Sequence, residues 1–458
     1  MHLSHEVDSP YAWFRLFVSL VLATIGGCGM YVVVVVLPAV QAEFDVVRGV
    51  ASLPYTMTMI GFGIGGILMG RLTDRYGIVV PVTIGGVSIG AGFVLAAAAG
   101  DIWMFAVVQG LLIGMLGSSA TFSPLVTDTS FWFHRRRGIA VAICASGNYL
   151  AGTFWPPVVQ HFVETVGWRQ TYVGIGLFCL FTIVPLAQLL RRRAEGLHAA
   201  SSAATAATAT APAATAAAPS ATSTVSAPAA SSVPSAATAP VATVAPPIAS
   251  PDPLERLGIS SRTLLLLLCI AGVACCVAMS MPQVHIVAYC GDLGFGPARG
   301  AEMLSLMLGF GVISRIAFGL ICDRIGGLRT LLLGSVLQAI ALMLFLPFDS
   351  LVSLYVISAL FGLFQGGIVP SYAIIVREFF PASGAGLRVG LVITATLFGM
   401  ALGGWLSGVL FDLTGSYDAA FVHGIAWNAL NISIVAWLLL RLRRHDRLPG
   451  LLTSAARS

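Results

Sequence analysis

The residue with the clearest chemical potential is an arginine inside an apolar segment. The stretch "SLMLGFGVISRIAFG", residues 305–319, is apolar almost throughout, yet it contains Arg315. A guanidinium keeps its proton in proteins, and placing one inside a membrane span costs about 2.5–3.5 kcal/mol on insertion scales. Arg315 lies eight residues before Asp323, which corresponds to about 12 Å of helix. This depth favours a role in binding over a role in anchoring the helix end.

The counter-ion for Arg315 is not evident from the sequence. No acidic residue in the apolar segments is clearly deep enough, and Asp128, close to a segment end, is the nearest candidate. A structural salt bridge is therefore one interpretation. The other is an arginine that faces a water-filled cavity and binds an anion, because its planar fork fits a carboxylate. We expect the second arrangement.

Further polar side chains in the apolar segments are candidates for the same cavity. His285 lies seven residues inside Asp292 and is either an internally satisfied histidine or a proton-coupling group. Pro124 and Pro370 interrupt helices, and the carbonyl groups they free need a cavity or a neighbour to satisfy them. The candidate ligand-binding residues are Arg315, Tyr31, Thr121, Ser123, His285, Tyr289, Ser371 and Tyr372.

The composition requires that these residues be positioned by membrane-spanning helices. The 458 residues are 57% hydrophobic and only 9% charged, far below the roughly 25% charge of soluble domains. All 24 basic residues are arginine, which removes any mechanism based on lysine. The eight cysteines form no Cys-x-x-Cys pair and fit packed free thiols better than a disulfide framework or a metal site.

A span needs about 20 apolar residues, and the chain contains twelve such segments in two sets of six. The predicted fold is an all-α membrane protein with spans 1–6 at 16–40, 50–70, 77–100, 102–126, 138–162 and 170–190, and spans 7–12 at 263–290, 303–322, 330–348, 351–376, 389–411 and 419–440. The predicted organisation is a six-helix bundle over 1–193, a linker over 194–260, a second bundle over 261–445 and a tail over 446–458.

The linker and the arginine distribution complete the predicted layout. Residues 199–251 are almost wholly Ala, Ser, Thr, Pro and Val without aromatic side chains, so we predict a disordered linker. Between the spans, only Arg48, Arg169 and Arg299 fall on the side opposite the termini. By the positive-inside rule, the termini and the linker are expected to be cytoplasmic.

The two sets of spans carry an internal repeat. "GRLTDRYG" at 70–77 returns as "GLICDRIG" at 319–326, and "FDVVRG" at 44–49 returns as "FGPARG" at 295–300, with offsets of 249 and 251. The two halves are therefore predicted to be structural copies with a ligand site at their interface near mid-bilayer. Gly66 is the counterpart of Arg315 in the first copy of the repeat, so only the second copy carries this charge.

This repeated loop resembles the hallmark of the major facilitator superfamily, and the resemblance covers the chain apart from the linker and tails. It implies the fold of that family and a secondary transporter rather than an enzyme. Asp74 and Asp323 are also expected to cap helix starts. The resemblance implies a conformational latch at Gly70, Asp74, Arg75, Gly77, Gly319, Asp323, Arg324 and Gly326.

A second stretch, "FWFHRRRGIAVAICASGNYLAG" at 131–152, is similar to the span 5 signature of monocarboxylate carriers and of bacterial oxalate/formate-type exchangers. Arg315 also matches the substrate arginine that monocarboxylate carriers place in span 8. Animal carriers have an acidic residue four positions before that arginine, where this chain has Gly311, and a span 1 lysine near Tyr31 here. The signature residues are Trp132, Phe133, Arg135, Arg136, Ala140 and Gly147.

The resemblance implies alternating-access transport of a small organic monocarboxylate, by proton symport or by anion exchange. The expected partners are that anion, protons under symport, and the lipid bilayer, without nucleic acid or ATP; the protein is expected to be a monomer of the inner membrane that needs no cofactor or metal. A proton-coupled drug exporter is the first alternative, although Gln109 stands where such exporters carry an arginine. A non-transporting membrane sensor is the second.

Overall fold

The computed structural model describes residues 8–133, 135–192, 254, 257–381 and 384–455, with the backbone alone at 385 and 444–455. Most of the predicted linker and the side chains of the predicted tail lie outside these residues. Within them, every regular element is a helix. The helices before and after the linker belong to one compact unit, so the division into two six-helix bundles stays a prediction.

In the part of the chain that the structure describes, helices occupy all twelve predicted spans. Eleven are long and apolar enough to cross a membrane. The remaining one, span 5, is 30 residues long and contains Asn148, Gln160 and two prolines. The observed bounds are Pro10–Gly26, Cys28–Val35 and Leu37–Phe44 for span 1; Arg48–Ala51 and Leu53–Tyr76 for span 2; Val79–Ala97 for span 3; Ile102–Val108, Gln109–Ser118 and Ser123–Trp132 for span 4; Arg137–Val166 for span 5; Trp168–Gln188 for span 6; Ser261–Asp292 for span 7; Pro297–Ile325 for span 8; Gly327–Leu344 for span 9; Leu351–Gln365 and Ile368–Phe379 for span 10; Ala385–Thr414 for span 11; and Asp418–Ala455 for span 12.

The sequence repeat has matching backbone geometry. Gly77 ends span 2 with φ 80° and ψ 174°, and Gly326 ends span 8 with φ 82° and ψ 164°. A residue with a Cβ is strained at such angles, which explains the glycine in both copies. We call the face that carries the loops 70–77 and 319–326 the latch face, and the opposite face the far face.

Spans 4 and 10 are interrupted near their middles, as their prolines predict. Pro124 lies in the first turn of the second half of span 4, just after an irregular turn at residues 119–122. Pro370 lies in the first turn of the second half of span 10, just after Gly366 and Gly367. Proline lacks an N–H group, so it is tolerated in a first turn whose N–H groups have no helical partner.

Glycines let span 10 approach span 8 at backbone distance beside Arg315. A Cβ at Gly362 would collide with the Met307 carbonyl, and one at Gly366 would meet the Gly311 carbonyl. Close approach of this kind gives dispersion contact between helices in a bilayer, where apolar burial from water gives no driving force. The contact therefore fixes the position of the segment that carries Arg315.

The variant Gly362→Ala tests this contact between spans 8 and 10. The added methyl would lie within 3.0 Å of the Met307 Cα and still closer to the Met307 carbonyl, so the backbone must move. We expect the free energy of unfolding to fall by about 1–3 kcal/mol. The measurement is the midpoint of thermal unfolding in detergent, which should be lower. The matched control is Gly390→Ala in span 11, where no atom lies within 4 Å of the added Cβ. That control should unfold at the same or a higher temperature, because alanine favours helix. Equal midpoints for the two variants would contradict the packing described.

Candidate functional site

Arg315 lies at the seam between the two sets of spans and is not paired with a carboxylate. Its Nη1 donates to the Ala145 carbonyl of span 5 at 2.9 Å, and its guanidinium carbon lies 4.1 Å from the centroid of the Tyr149 ring. Its Nε is buried without a hydrogen-bond partner. Tyr31 of span 1 is within electrostatic reach of the guanidinium. The side chain therefore faces spans 1 and 5 rather than lipid, and no ion pair forms with Arg315 in the part of the chain that the structure describes.

The seam is a ladder of contacts between the antiparallel spans 5 and 8. Its contacts use small residues or backbone atoms on at least one side, so the helices lie close. From the far face toward the latch face, the contacting pairs are Thr153 with Ser305, Gly152 with Leu308, Tyr149 with Gly311, and Ala145 with Arg315. The arginine thus ends the ladder on the side of the latch face.

The glycine at 311 has a steric reason. A Cβ at Gly311 would fall inside van der Waals contact of two ring carbons of Tyr149. The acidic residue that animal carriers place there cannot be accommodated while Tyr149 lies under Arg315. Tyr149 therefore replaces a carboxylate as the neighbour of the guanidinium, through a cation–π contact that leaves the charge uncompensated.

Asp128, the nearest acidic candidate in the sequence, is engaged elsewhere. It forms two hydrogen bonds with Arg15 of span 1, from Nε at 2.8 Å and from Nη2 at 3.0 Å. Both side chains are buried, with Arg15 at 2% and Asp128 at 6% exposure. Arg15 also donates to the Leu190 carbonyl just after span 6 at 3.1 Å. This pair joins three spans of the first half, and Asp128 is therefore not available to Arg315.

The aromatic part of the span 5 signature surrounds this pair. Trp132 is buried and has the Arg15 guanidinium 4.7 Å from its ring centroid. Phe133 packs edge-on against Trp13 at 5.0 Å. The signature aromatics therefore hold span 1 at the latch face, whereas Arg135 and Arg136 are exposed.

The small residues of the signature serve close helix packing. Ala140 is fully buried, and a Cβ at Gly147 would come within 2.6 Å of the Ala23 methyl in span 1. A Cβ at Gly27, where span 1 is interrupted, would come within 2.6 Å of Ala151. Spans 1 and 5 are thereby held together around the site of Tyr149.

A second charged centre, which the sequence does not identify, lies at the far face. Arg48 at the start of span 2 donates from Nη1 and Nη2 to the two oxygens of Asp292 at the end of span 7, at 2.9 and 3.1 Å. It also donates to the Tyr417 hydroxyl at 2.5 Å and to Gln41 at 2.6 Å. A bidentate pair of this kind is strong and directional. It links the first half of the chain to the second.

The end of span 11 joins the same centre, which we call the far-face cluster. Asp412 accepts the backbone N–H groups of Arg48 and Gly49 at 2.8 and 2.6 Å. A Cβ at Gly408 would lie 2.9 Å from the Arg48 carbonyl. A carboxylate at a helix start satisfies otherwise unpaired N–H groups. Span 2 is therefore anchored to span 11 as well as to span 7.

His285 belongs to the far-face cluster. Its Nε2 lies 2.8 Å from the Gly404 carbonyl and its Nδ1 lies 3.1 Å from the Tyr417 hydroxyl. Burial holds the pKa of the Tyr417 phenol well above its ordinary value, so this hydroxyl stays protonated. Since a carbonyl only accepts, Nε2 carries the proton and Nδ1 accepts from Tyr417. Of the two interpretations of His285, the structure matches the internally satisfied histidine.

The other candidates lie in several environments. Tyr31 is close to Arg315, and Tyr289 packs on Tyr417 and Phe421 at 5.4 and 5.7 Å, beside the far-face cluster. Tyr372 is fully buried and donates to Asn431 of span 12 at 3.1 Å. The hydroxyls of Thr121 and Ser371 bond to carbonyls of their own spans, and that of Ser123 lies beside Gly66, the repeat counterpart of Arg315. Of these candidates, Tyr31 lies at the seam of spans 5 and 8, since a Cβ at Gly152 would come within 2.9 Å of its ring.

The expected latch residues are at the latch face, with one correction. Asp74, Arg75, Asp323 and Arg324 are exposed and form no ion pair with another described residue. The expectation that Asp74 and Asp323 cap helix starts is wrong, since both lie within the last turn of a helix. At span 9 the cap is Glu378, which accepts from the Gly327 N–H at 2.9 Å.

The backbone of the latch loops is open. A Cβ at Gly70 or at Gly319 would meet no atom within 4 Å, whereas Gly77 and Gly326 are required by their positive φ. Among the described residues, the latch face thus shows none of the charged contacts that join the two halves at the far face.

The remaining features of the described residues do not compete with this site. An apolar groove of about 470 Å³ between spans 5 and 6 is lined by residues such as Phe154, Val158 and Phe178 and contains no charged group. Across the described ranges, no group of three or more His, Cys, Asp or Glu side chains is placed to hold a metal ion. All eight cysteines are free thiols.

Sequence reasoning missed Tyr149 and the Arg48 centre for different reasons. Tyr149 stands among the small residues "ASGNYLAG" of span 5, and an aromatic ring in a stripe of small residues is a signal that was available. The partners of Arg48 are 244 and 369 residues away. A sequence pattern within one segment cannot indicate partners that lie so far away in the chain.

Comparison with known proteins identifies a family over the whole chain. The family profile described as Major Facilitator Superfamily matches residues 19–353 and again 266–456. The chain is 25% identical over 430 residues to "Monocarboxylate transporter 13" of Rattus norvegicus, covering 92% of this chain and 87% of that protein. It is 22% identical to "MFS-type transporter pynF" of Aspergillus niger, covering 76% and 69%.

Solved structures support the fold. A point mutant of the peptide transporter POT matches with a TM-score of 0.68 at 15% identity over 95% of this chain and 96% of that one. A bacterial homologue of the human lysosomal transporter Spinster matches with a TM-score of 0.61 at 12% identity over 96% and 97%. The named relatives are transporters rather than enzymes.

The far-face cluster is testable by a double-mutant cycle of Arg48→Gln and Asp292→Asn. Because the pair is bidentate and Arg48 is buried, we expect a coupling free energy of about 1 kcal/mol or more, measured by thermal unfolding in detergent. The matched control is a cycle of Arg299→Gln and Glu302→Gln at the repeat counterpart of Arg48, where the pair is exposed and within one helix. That cycle should show no measurable coupling. Additive effects at Arg48 and Asp292 would contradict the role given to the cluster.

Proposed function

Because the chain belongs to the Major Facilitator Superfamily, we propose that this membrane transporter moves a small organic monocarboxylate by alternating access, with Arg315 binding the carboxylate. One observation carries the proposal. A guanidinium at the seam of the two halves stacks on Tyr149 and has no carboxylate partner among the described residues. The names of the monocarboxylate transporters to which the chain is similar agree with this substrate class.

The neighbours of Arg315 support binding of an anion. The Tyr149 ring covers one face of the guanidinium, and the Ala145 carbonyl takes one of its five N–H groups. The remaining donors lie in the plane of the fork, where a carboxylate is bound through two parallel hydrogen bonds. The Tyr31 ring of span 1 lies beside Gly152 of span 5, at the same seam. A bound carboxylate therefore touches both halves of the protein.

The charge balance supports a monoanion. Two other arginines are deeply buried, and each has an aspartate of its own: Arg15 has Asp128 and Arg48 has Asp292. Within the described ranges this leaves Arg315 as the cation at the seam without a counter-charge. A second carboxylate on the substrate has no cation beside Arg315 to receive it.

The closed far face and the open latch face fit one state of an alternating-access cycle. The far-face cluster joins spans 2, 7 and 11, while the exposed charges of the latch loops form no ion pair with described residues. The proposed membrane is the cytoplasmic membrane, with both termini in the cytoplasm. In that orientation, the proposed site is accessible from the cytoplasm in this state.

We favour anion exchange over proton symport as the coupling mode. When the empty carrier changes state, the site must pass through an occluded, low-dielectric state with Arg315 as an unpaired charge, which is costly. In a symporter a nearby acid can neutralise the arginine after release. Here Gly311 stands at the family's acidic position, and His285 is satisfied within the far-face cluster. Return with another bound anion avoids the cost.

The role of Arg315 is tested by Arg315→Gln and Arg315→Lys in proteoliposomes. The test is uptake of radiolabelled lactate, pyruvate and butyrate. Loss of the charged fork should lower kcat/KM by about 100-fold or more for Gln, in line with the loss of a charge-assisted pair of about 3 kcal/mol. Lysine retains the charge but lacks the planar fork, so Arg315→Lys should recover only part of the lost kcat/KM. The control Arg262→Gln removes an exposed arginine at the start of span 7 and should transport normally, whereas uptake unchanged by both Arg315 variants would refute the proposal.

The coupling mode is tested by counterflow. Proteoliposomes are preloaded with unlabelled butyrate at about tenfold the outside concentration. They should take up labelled butyrate faster than empty vesicles, because the carrier passes readily through its occluded state only when an anion is bound to Arg315. The comparison is uptake into empty vesicles under an inward proton gradient. Faster uptake with the proton gradient and no stimulation by internal butyrate would show symport instead.

A further inference from the structure

The hydrogen bonds of the far-face cluster run in one direction through Tyr417. Arg48 donates from Nη1 to the Tyr417 hydroxyl, Tyr417 donates to His285 Nδ1 at 3.1 Å, and His285 donates from Nε2 to the Gly404 carbonyl at 2.8 Å. The direction is fixed at both ends, because a guanidinium only donates and a carbonyl only accepts. A phenol whose proton is taken by Nδ1 presents its oxygen lone pairs to Arg48.

Tyr417 depends on a partner for the direction of its hydroxyl proton. It lies between spans 11 and 12, in the non-helical segment 415–417, and is 3% exposed. Its ring packs on Phe411 at 4.6 Å and on Tyr289 at 5.4 Å. These ring contacts fix the plane of the phenol, but they do not orient its proton. The described acceptor for that proton is His285.

His285 is anchored at a contact between the two halves. It is fully buried, and its own acceptor is the carbonyl of Gly404 in span 11, where an added Cβ would lie 3.0 Å from the Tyr55 ring of span 2. Nearly one turn toward the latch face, Thr56 of span 2 donates to the Ala401 carbonyl of span 11 at 3.1 Å. The imidazole therefore connects Tyr417 to the contact of span 2 with span 11.

We propose that His285 is a positioning residue of a far-face gate, meaning the contact of Arg48 with Asp292 and Tyr417. Arg48 uses Nη1 for both partners, so the Tyr417 oxygen helps to set the plane of the fork on which the bidentate pair with Asp292 depends. The histidine acts through its neutral Nδ1, and no proton is transferred.

This inference rests on one part of the proposed function, the alternating access. A contact that joins the two halves at the far face must break before the site opens on that side. The inference does not depend on which substrate the protein carries.

Two substitutions of His285 separate its acceptor from its donor. In His285→Asn the amide oxygen takes the place of Nδ1 and accepts from Tyr417, whereas the bond to Gly404 is lost. In His285→Gln the amide reaches the place of Nε2 and donates to Gly404, whereas Tyr417 loses its acceptor. The two variants therefore distinguish orientation of Tyr417 from attachment of span 7 to span 11.

The measurement is the reaction of a thiol introduced by Thr56→Cys with a membrane-impermeant maleimide. Thr56 is 8% exposed and lies eight residues, about 12 Å of helix, inside Arg48. The reagent is added to intact cells, where the far face is the outer face in the proposed orientation. We expect labelling to be about fivefold faster or more in His285→Gln, in line with the loss of one hydrogen bond. His285→Asn should label close to the unaltered rate. Protein without Thr56→Cys gives the background from the native cysteines.

The matched controls are Tyr417→Phe and Gln338→Met. Tyr417→Phe should label as fast as His285→Gln, and the two changes together should add nothing further, because they break the same link. Gln338 of span 9 is fully buried and bonds to Cys275 within its own half. Gln338→Met should therefore lower the unfolding temperature without faster labelling. If His285→Gln is not recovered folded, Tyr417→Phe retains the ring and carries the same expectation for labelling.

The outcomes separate this inference from the proposed substrate. Equal labelling of His285→Asn and His285→Gln, no acceleration in Tyr417→Phe, or additive effects of His285→Gln and Tyr417→Phe would overturn the inference. Labelling reports opening of the far face without any substrate. The expected labelling pattern together with absence of butyrate uptake would contradict the proposed substrate and leave the gate in place.

Discussion

The rest of this structure depends on one constraint, the permanent positive charge of arginine in a region of low dielectric. Arginine does not lose its proton in such a place, so each buried guanidinium must find a carboxylate, a ring, a carbonyl or a ligand. Among the described residues, two deeply placed arginines find aspartates, and Arg315 finds only a ring and one carbonyl. This difference separates the two arginines that hold helices together from Arg315, on which the proposed function rests.

The two paired arginines have different structural roles, one at the latch face and one at the far face. Arg15 with Asp128 lies at the latch face and joins spans 1, 4 and 6, all within the first half. Arg48 with Asp292 lies at the far face and joins the first half to the second. A contact within one half can persist while the halves move, whereas a contact between halves must break for the far face to open. The first pair therefore stabilises one half, whereas the second joins the two halves.

Glycine sets the geometry around the unpaired arginine. Gly152 and Gly311 let spans 5 and 8 close on each other until Tyr149 lies against the backbone of span 8. Gly362 and Gly366 bring span 10 against the other side of the same span. Span 8 is thus held from two sides by close contacts at glycine, which fix the backbone that carries Arg315. Precise placement of this kind is what the proposed binding role of Arg315 requires.

Part of the architecture was readable from local pattern. Segment length and hydropathy predicted all twelve helices, and Pro124 and Pro370 predicted the interruptions of spans 4 and 10. These features depend on residues close together in the chain, so a sequence displays them directly. The family relationship was readable for the same reason, since its motifs are contiguous.

By itself, then, the sequence determined where the helices run, where they break and that one arginine lies far from any helix end. Tertiary structure alone decided which buried arginine stays unpaired, because Arg15 and Arg48 meet acids 113 and 244 residues away. It also decided that His285 bonds to Tyr417 and that Tyr149 fills the space a carboxylate would need beside Arg315. The physical reason is that pairing depends on which helix ends and faces meet, and spacing along one helix contains no record of its neighbours.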